Sequence, residues 1–318
     1  MRKSWIAVTL TALLMASLSV ALAREPEEGV KVGNPSFLRK LVSAERIEKA
    51  ATLQFGQLKT QAESKRALLP PNHPQNERLR RIAGDMLPHA DKWNPRAKEW
   101  RWEVVTLASR NINAFCMPGG KIVFFTGILD QLRLTDDEVA MIMGHEIAHA
   151  LREHARERAA KTTLTSITGR IVGLLIFGQG GDAIGAAGSN LLTLKFSRDD
   201  EREADLVGME LAARAGYDPA AGVTLWEKMS AAAKGSPPQW MSTHPSGESR
   251  IQLIKDHLKD VQPLYDRAKA AKSAGASPDT LRKDPESPRG DSRDARKLNA
   301  PGGSGSWPAQ APPSGPRQ

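Results

Sequence analysis

The residues best placed to do chemistry are His145, Glu146 and His149, which form the pattern His-Glu-x-x-His. On a helix the two histidines are four residues apart, so their imidazoles leave the same face and can share one Zn²⁺. Helix periodicity keeps Glu146 near them, where it can reach a water on the metal without being a ligand. The metal lowers the pKa of that water towards about 7, and the glutamate takes its proton. The pattern predicts hydrolytic chemistry.

A third metal ligand must come from elsewhere in the chain. His154 lies about 140–180° round a continuous helix from the zinc pair, so we expect it to be a solvated surface residue. A second predicted helix, capped by Ser197, carries Glu201 and Asp205 four residues apart on one face. One of these carboxylates can bind the metal while the other orients a neighbouring ligand.

These segments together resemble the CAAX-prenyl-protease and HtpX-like family of gluzincin zinc metallopeptidases. Four blocks carry the resemblance, in order between residues 76 and 258: Asn113 to Gly120, His145 to His149, Glu201-x-x-Ala204-Asp205, and Thr243 to Ser246 with Arg250. The resemblance implies a gluzincin fold in which one zinc ion is bound by His145, His149 and Glu201. It also implies that Glu146 is the base.

His244 stands in a loop just before the last predicted helix. A loop histidine near a zinc site can bind the open position of the resting metal, or hydrogen-bond the oxyanion that develops in hydrolysis. Arg250 can serve the second role or hold His244 in place. Both residues are therefore candidate catalytic residues, although a single loop histidine is often structural.

The elements that position these residues follow from capping and periodicity. Thr135 to Glu138 forms a capping box, and the apolar spacing after it predicts a buried motif helix from Asp136 to about Ala160. Similar patterns predict helices before and after it, among them Asn76 to about Pro88, and strands at Trp100 to Leu107 and Ile122 to Phe125. The fold class expected is α+β and mostly helical, with a small antiparallel sheet beside the motif helix.

The stretch from Asn113 to Cys116 has a second predicted use. A protease must hold its substrate extended, and an exposed sheet edge does this by adding the peptide as one more strand. We predict that Asn113, Ala114, Phe115 and Cys116 form that edge beside the zinc; the alternative is an ordinary hairpin that supports the motif helix. Cys116 is the single cysteine, so the chain has no internal disulfide, and we interpret it as a packed residue rather than a redox switch.

Composition divides the chain into three parts. Residues 1–23 combine a basic start, an apolar run and an Ala-Leu-Ala site, which predicts a signal peptide; the alternative is an uncleaved membrane anchor. Residues 24–270 are the expected zinc metallopeptidase domain, and residues 271–318 a disordered tail rich in Pro, Gly and Ser. Within the domain, residues 162–194 are apolar and glycine-rich, which is typical of a close-packed helical hairpin, or of a lid or membrane-touching loop.

The net charge of the chain limits the kinds of partner that we expect. The net charge is +9, or +7 without Arg2 and Lys3, which suits weak contact with anionic membranes or acidic partners. An export signal and the absence of basic–aromatic interleaving disfavour nucleic acid. We expect an exported, periplasmic zinc endopeptidase that cleaves extended or misfolded envelope proteins. The alternative is a non-proteolytic chaperone or assembly factor for outer-membrane proteins, which grips chains along the same edge and keeps zinc for stability.

Overall fold

The computed structural model describes residues 28–165, 195–233, 238–244 and 248–275. The expected signal peptide, most of the segment 162–194 and the tail beyond residue 275 lie outside the described residues. Within them the chain is mostly helical with one small sheet, which confirms the α+β class. Every helix in these ranges falls short of the length or the apolarity that a bilayer crossing needs.

The helices frame a three-stranded sheet. The α-helices are α1 (Ala44–Ser64), α2 (Pro74–Met86), α3 (Thr126–Gln131), α4 (Asp136–Leu151), α5 (His154–Thr165), α6 (Arg198–Arg214), α7 (Ala221–Ala232), α8 (Gln239–Thr243) and α9 (Glu248–Ser273), with 3₁₀ helices at Phe37–Leu41, Leu87–Lys92 and Pro95–Lys98. The strands are β1 (Glu103–Leu107), β2 (Ala114–Met117) and β3 (Lys121–Phe125).

The sheet is mixed, so the expectation of a wholly antiparallel sheet was wrong. Its order is β1-β3-β2, with β1 parallel and β2 antiparallel to β3. The reason lies in the connections. Gly119 and Gly120, both at φ +79°, make the tight turn of the β2–β3 hairpin, while the longer link after β1 carries the chain past the position of β3. The strand β2 is therefore left at the edge, as predicted for this stretch.

The motif helix α4 begins as predicted and ends early. Thr135 and Glu138 bond each other's backbone N–H groups in a full capping box. From Glu138 to Leu151 every residue of the helix is buried, because α4 runs through the middle of the molecule. It stops at Leu151 rather than near Ala160, since Glu153 adopts a left-handed backbone at φ +58° and the chain restarts as α5.

Helices α4 and α6 cross with almost nothing between their backbones. A Cβ atom placed on Gly144 would lie 2.5 Å from the carbonyl oxygen of Gly208, and one on Gly208 would lie 2.5 Å from the backbone nitrogen of His145. Only glycine fits at either position, because real Cβ atoms do not approach backbone this closely. The crossing holds the beginning of α6 beside the histidines of α4.

Candidate functional site

The predicted site residues come together from three helical segments. His145 and His149 lie on α4, Glu201 on α6, and His244 directly follows α8. One ligand atom from each of these four side chains lies within 4.8 Å of the other three, and all four residues are buried. The fold thus assembles one cluster from positions up to 99 residues apart.

His145 is supported by a carboxylate in direct contact. Its Nδ1 lies 3.0 Å from Oδ1 of Asp205. Nη2 of Arg250 also lies 3.1 Å from this nitrogen, but it donates to Oδ1 of Asp205. Because a carboxylate only accepts, Nδ1 of His145 carries a proton to it, and in the neutral ring the lone pair of Nε2 is directed into the cluster. The spacing left open which of Glu201 and Asp205 would contact a histidine from outside the cluster; in the structure Asp205 does so.

His149 is supported through a second histidine, and here the sequence interpretation of His154 was wrong. His154 is 1% exposed rather than solvated. Its Nδ1 lies 2.9 Å from Nδ1 of His149, and its Nε2 lies 2.9 Å from Oε2 of Glu203, which also pairs with Arg152. The prediction failed because it extended α4 as one helix, whereas the left-handed turn at Glu153 swings His154 back to the motif.

The hydrogen bonds that run from His149 through His154 to Glu203 determine which ring nitrogen of His149 has a free lone pair. Glu203 can only accept, so Nε2 of His154 donates to it, and in the neutral form of that ring Nδ1 accepts. His149 then donates from Nδ1 and directs the Nε2 lone pair into the cluster. The result is two Nε2 lone pairs only 3.0 Å apart, whose repulsion a cation between them would relieve.

Distances and charges in the cluster fit zinc. Tetrahedral ligands about 2.0–2.1 Å from Zn²⁺ lie roughly 3.3 Å from one another. Nε2 of His145 is 3.5 Å from Oε2 of Glu201 and 3.3 Å from Nδ1 of His244, and Nε2 of His149 is 3.5 Å from Oε1 of Glu201. Three nitrogens and one carboxylate are a donor set that zinc prefers.

The pKa shifts of His145 and Glu201 show the same preference for positive charge. Burial opposes the charged form of His145, but hydrogen bonds to Asp205 and Glu201 raise its pKa to about 9. Burial also opposes ionisation of Glu201, yet its bonds to the surrounding histidines hold its pKa far below the usual range. Burial lowers the pKa of His149 well below its usual value, which leaves that ring neutral, the form that binds metal. The site is therefore built for a zinc ion.

Glu146 lies at the side of this cluster and is held by a residue that sequence reasoning missed. Its Oε1 accepts a hydrogen bond of 2.6 Å from Nε1 of Trp240, and the same oxygen is 3.5 Å from Nε2 of His244. Trp240 is 1% exposed and stacks on His244 with ring centroids 4.9 Å apart. No motif marks Trp240; its position four residues before His244 was the one available signal.

Arg250 lies behind the ligands, on α9. Its Nη1 donates to Oε2 of Glu201 at 2.6 Å, and its Nε donates to Oδ2 of Asp205 at 2.6 Å. Its guanidinium also lies 4.0 Å from the ring centroid of Trp226. The guanidinium thus fixes a ligand and the carboxylate that orients another ligand, which is a positioning arrangement.

The predicted substrate edge lies next to the cluster. On β2, the outward backbone N–H of Ala114 donates to the side chain of its neighbour Asn113 at 3.0 Å, and no strand among the described residues pairs with it there. The carbonyl of Ile112, just before the strand, accepts from the backbone N–H of Trp240 at 3.1 Å. This bond attaches α8, and with it His244, to the end of the edge strand.

Cys116, also on β2, is the free cysteine. Burial is the main cause that raises the pKa of its thiol well above the usual value, so the sulfur remains protonated. A protonated thiol is a poor nucleophile, and this favours the packed interpretation of Cys116.

A family model confirms what this geometry indicates. The model for peptidase family M48 matches residues 73–258, which is more than half of the chain and includes all four clustered side chains. The chain belongs to peptidase family M48. The predicted resemblance to the HtpX-like gluzincin metallopeptidases is therefore confirmed.

Several curated proteins are similar to this M48 chain. The mitochondrial metalloendopeptidase OMA1 of Arabidopsis thaliana is 38% identical over 153 residues, which cover 48% of this chain and 31% of the relative. Its counterpart in Schizosaccharomyces pombe is 36% identical over 170 residues, covering 51% and 48%. The Beta-barrel assembly-enhancing protease of Escherichia coli K12 is 31% identical over 166 residues, covering 48% and 34%. The chain thus spans between about a third and half of the length of these relatives.

Proposed function

We propose that this M48 chain is a zinc-dependent endopeptidase that hydrolyses peptide bonds in extended polypeptides. The observation that carries the proposal is the buried cluster of His145, His149 and Glu201 with Glu146 beside it. The relatives named metalloendopeptidases support it. When bound, zinc supplies Lewis-acid chemistry, because it polarises a carbonyl and lowers the pKa of a water.

The chain's own residues supply the remaining steps. Oε1 of Glu146 takes a proton from the attacking water and later gives it to the leaving amine. The hydrogen bond from Trp240 fixes the direction of that carboxylate, so its proton transfer needs no reorientation of the side chain. The edge formed by Asn113, Ala114, Phe115 and Cys116 holds the substrate extended by strand addition.

His244 closes the cluster in the described arrangement. Its Nδ1 lies 3.0 Å from Oε1 of Glu201 and 3.3 Å from Nε2 of His145, which is the place of a fourth ligand. A catalytic zinc site keeps three protein ligands and leaves one position open. We therefore assign His244 to the resting state: it would hold the fourth position of a bound zinc, and its ring would have to turn away before a substrate binds.

The substitution Glu146→Gln tests the proposal. The amide keeps the shape and the hydrogen bond from Trp240 but cannot take a proton, so zinc content should remain at one per chain while casein cleavage is lost. His244→Ala is the companion variant, because opening the fourth position should raise cleavage. Equal cleavage by wild type and Glu146→Gln would refute the mechanism, and the absence of zinc in the wild type would refute the site.

We further propose that the mature protein begins after residue 23, acts in the periplasm, and degrades misfolded or misassembled envelope proteins. The signal-peptide pattern supports export. The similarity to a bacterial protease named for β-barrel assembly supports contact with the machinery that assembles outer-membrane proteins. Fractionation of cells that express the full chain, with sequencing of the mature N-terminus, tests the location.

A second candidate function is that of a chaperone or assembly factor. It is favoured by the closed ligand set, since four protein ligands are typical of structural zinc. It uses the same edge strand and cluster without proteolysis. A strain that carries Glu146→Gln separates the two functions: a chaperone keeps its effect on envelope assembly, whereas a protease loses it.

A further inference from the structure

We propose that Phe196 is a positioning residue that retains the ring of His244 in the resting arrangement and so controls how often the fourth position opens. This inference rests on the proposed function, because it concerns the regulation of the resting ligand assigned there. Phe196 lies directly before Ser197, the N-cap of α6, and its side chain is partly buried. An aromatic ring acts here by packing, so Phe196 can hold His244 without adding a charge or a hydrogen bond to the cluster.

The phenyl ring of Phe196 packs on two imidazoles of the cluster at once. Its centroid lies 3.9 Å from that of His149 with 26° between the planes, and 5.3 Å from that of His244 with 28° between the planes. The two imidazole planes are 53° apart, so the phenyl plane is intermediate between them and stacks on both. One side chain therefore joins the ligand that has to turn away to a ligand that stays on the motif helix.

The backbone of Phe196 also holds the segment that carries His244. Its N–H donates to the carbonyl of Thr243 at 3.3 Å, and Thr243 is the residue just before His244. The position of Phe196 is in turn set by the capping box that begins α6, in which Ser197 and Asp200 bond each other's backbone N–H groups at 2.8 and 3.2 Å. Phe196 is therefore anchored to the start of α6 and contacts the segment of His244 through both its backbone and its ring.

Trp240 also stacks on His244, with ring centroids 4.9 Å apart, but it has a further contact. Its Nε1 donates to Glu146, so a change at Trp240 would disturb the base and the resting ligand together. The side chain of Phe196 has no hydrogen-bonding atom. Replacing it therefore leaves the polar contacts of the cluster in place and isolates the effect of stacking on His244.

The stacking energy gives the size of the expected effect. A ligand that needs the fourth position binds in proportion to the fraction of chains in which His244 is turned away. The loss of one stacked aromatic contact should raise a small open fraction, and with it the affinity for such a ligand, by about two- to tenfold. Cleavage of peptides should rise in the same proportion, because a substrate needs the same position.

A binding experiment tests this role of Phe196 independently of catalysis. The probe is acetohydroxamic acid, which binds a metal at positions that protein ligands leave open, and the protein is the full chain loaded with Co²⁺, whose visible absorption reports the binding. Phe196→Leu keeps an apolar side chain but has no ring to stack, so it should bind acetohydroxamate about two- to tenfold more tightly than wild type. Phe196→Tyr keeps the ring and should bind the probe as wild type does.

A double-mutant cycle with His244→Ala shows whether the effect passes through His244. That variant opens the fourth position in every chain, so adding Phe196→Leu to it should bring no further gain in acetohydroxamate affinity. Phe55→Leu is the matched control, because it removes a buried ring of α1 in a separate apolar cluster and should leave the affinity at the wild-type value. The cobalt content of each variant checks that the cluster forms, and Phe196→Met takes the place of Phe196→Leu if the latter retains no cobalt.

The outcomes separate this proposal from the proposed function. If neither Phe196→Leu nor Phe196→Met gains affinity, or if the gain persists beside His244→Ala, Phe196 does not retain His244 and the proposal is overturned. An equal gain in Phe196→Tyr or Phe55→Leu overturns it as well. If His244→Ala itself brings no gain, the resting assignment and this proposal fall together, even where wild type cleaves casein. If the gain depends on His244 while no variant cleaves casein, the role of Phe196 stands and the endopeptidase proposal fails.

Discussion

His145 and His149 both lie on α4 and both direct Nε2 into the cluster. The hydrogen-bonded side chains that hold the Nδ1 atom of each ring, called here its support, differ in number and in origin. His145 contacts Asp205 directly, and Arg250 holds that carboxylate from a helix near the end of the chain. On its Nδ1 side His149 reaches a carboxylate only through His154, which lies five positions further on, at the start of α5.

The two supports differ in how many metal ligands each of them holds in place. Arg250 donates to both Asp205 and Glu201, so the His145 support also fixes the carboxylate ligand. The His149 support ends at Glu203, whose side chain is 20% exposed and serves no other ligand. Damage to the first support should therefore disturb two ligands, whereas damage to the second should disturb one.

The largest effect should come from Arg250→Met. Removing the guanidinium leaves the buried carboxylates of Asp205 and Glu201 without the cation that they share, which costs about 3–5 kcal/mol of unfolding free energy. Chemical denaturation measures this loss, and metal analysis should show that zinc is lost as well. The matched control is Arg267→Met, which breaks an exposed pair with Glu28 and should cost less than about 1 kcal/mol. Equal losses of unfolding free energy in the two variants would contradict the claim that Arg250 holds the site together.

The next effect should come from Asp205→Asn. The amide keeps the size of the side chain but loses the charge that orients His145 and balances Arg250, so zinc affinity should fall by about 10–100-fold. Competition with a chromogenic chelator measures the affinity. An unchanged affinity would show that the direct carboxylate has no influence on the metal.

A smaller effect is expected for His154→Leu. The buried Nδ1–H of His149 then loses its acceptor, which should lower zinc affinity by about tenfold. His154→Gln provides the conservative test, because its amide can accept from His149 and donate to Glu203. Recovery of affinity with Gln, together with a wild-type absorption spectrum of the Co²⁺ form, would identify a positioning role. If Gln and Leu behave alike, His154 acts only through packing.

The smallest effect should come from Glu203→Gln. The amide oxygen still accepts from His154, and the ring of His154 separates the change from the metal ligand, so zinc affinity should fall by about threefold or less. The same chelator competition applies. A loss as large as that of Asp205→Asn would contradict the claim that the two supports differ.

The sequence predicted the parts of the site that depend on local spacing. The ligands His145 and His149 follow from a four-residue step on a helix, and the start of that helix follows from the capping box at Thr135. Ser197 caps α6 as expected, which places Glu201 and Asp205 on one face. Each of these inferences needs only one turn of helix.

The parts that were missed depend on the path of the chain. A left-handed Glu153 has no composition signal, since the stretch around it lacks glycine, and that single backbone angle moves His154 from surface to interior. The parallel pairing of β1 with β3 depends on a crossover that periodicity does not show. Trp240 reaches Glu146 across 94 positions, and nothing local indicates such a contact.

The close crossing of Gly144 and Gly208 has a mechanical consequence. Two helices in backbone contact form a rigid crossing, because neither can rotate or slide against the other without moving apart. In this crossing Gly144 is one residue from His145, and Gly208 is two turns from Glu201. We therefore expect these two ligands to keep their separation when the surrounding chain moves. The opening of the fourth position that we propose must then come from His244, which follows the five-residue helix α8 and whose ring stacks on Trp240.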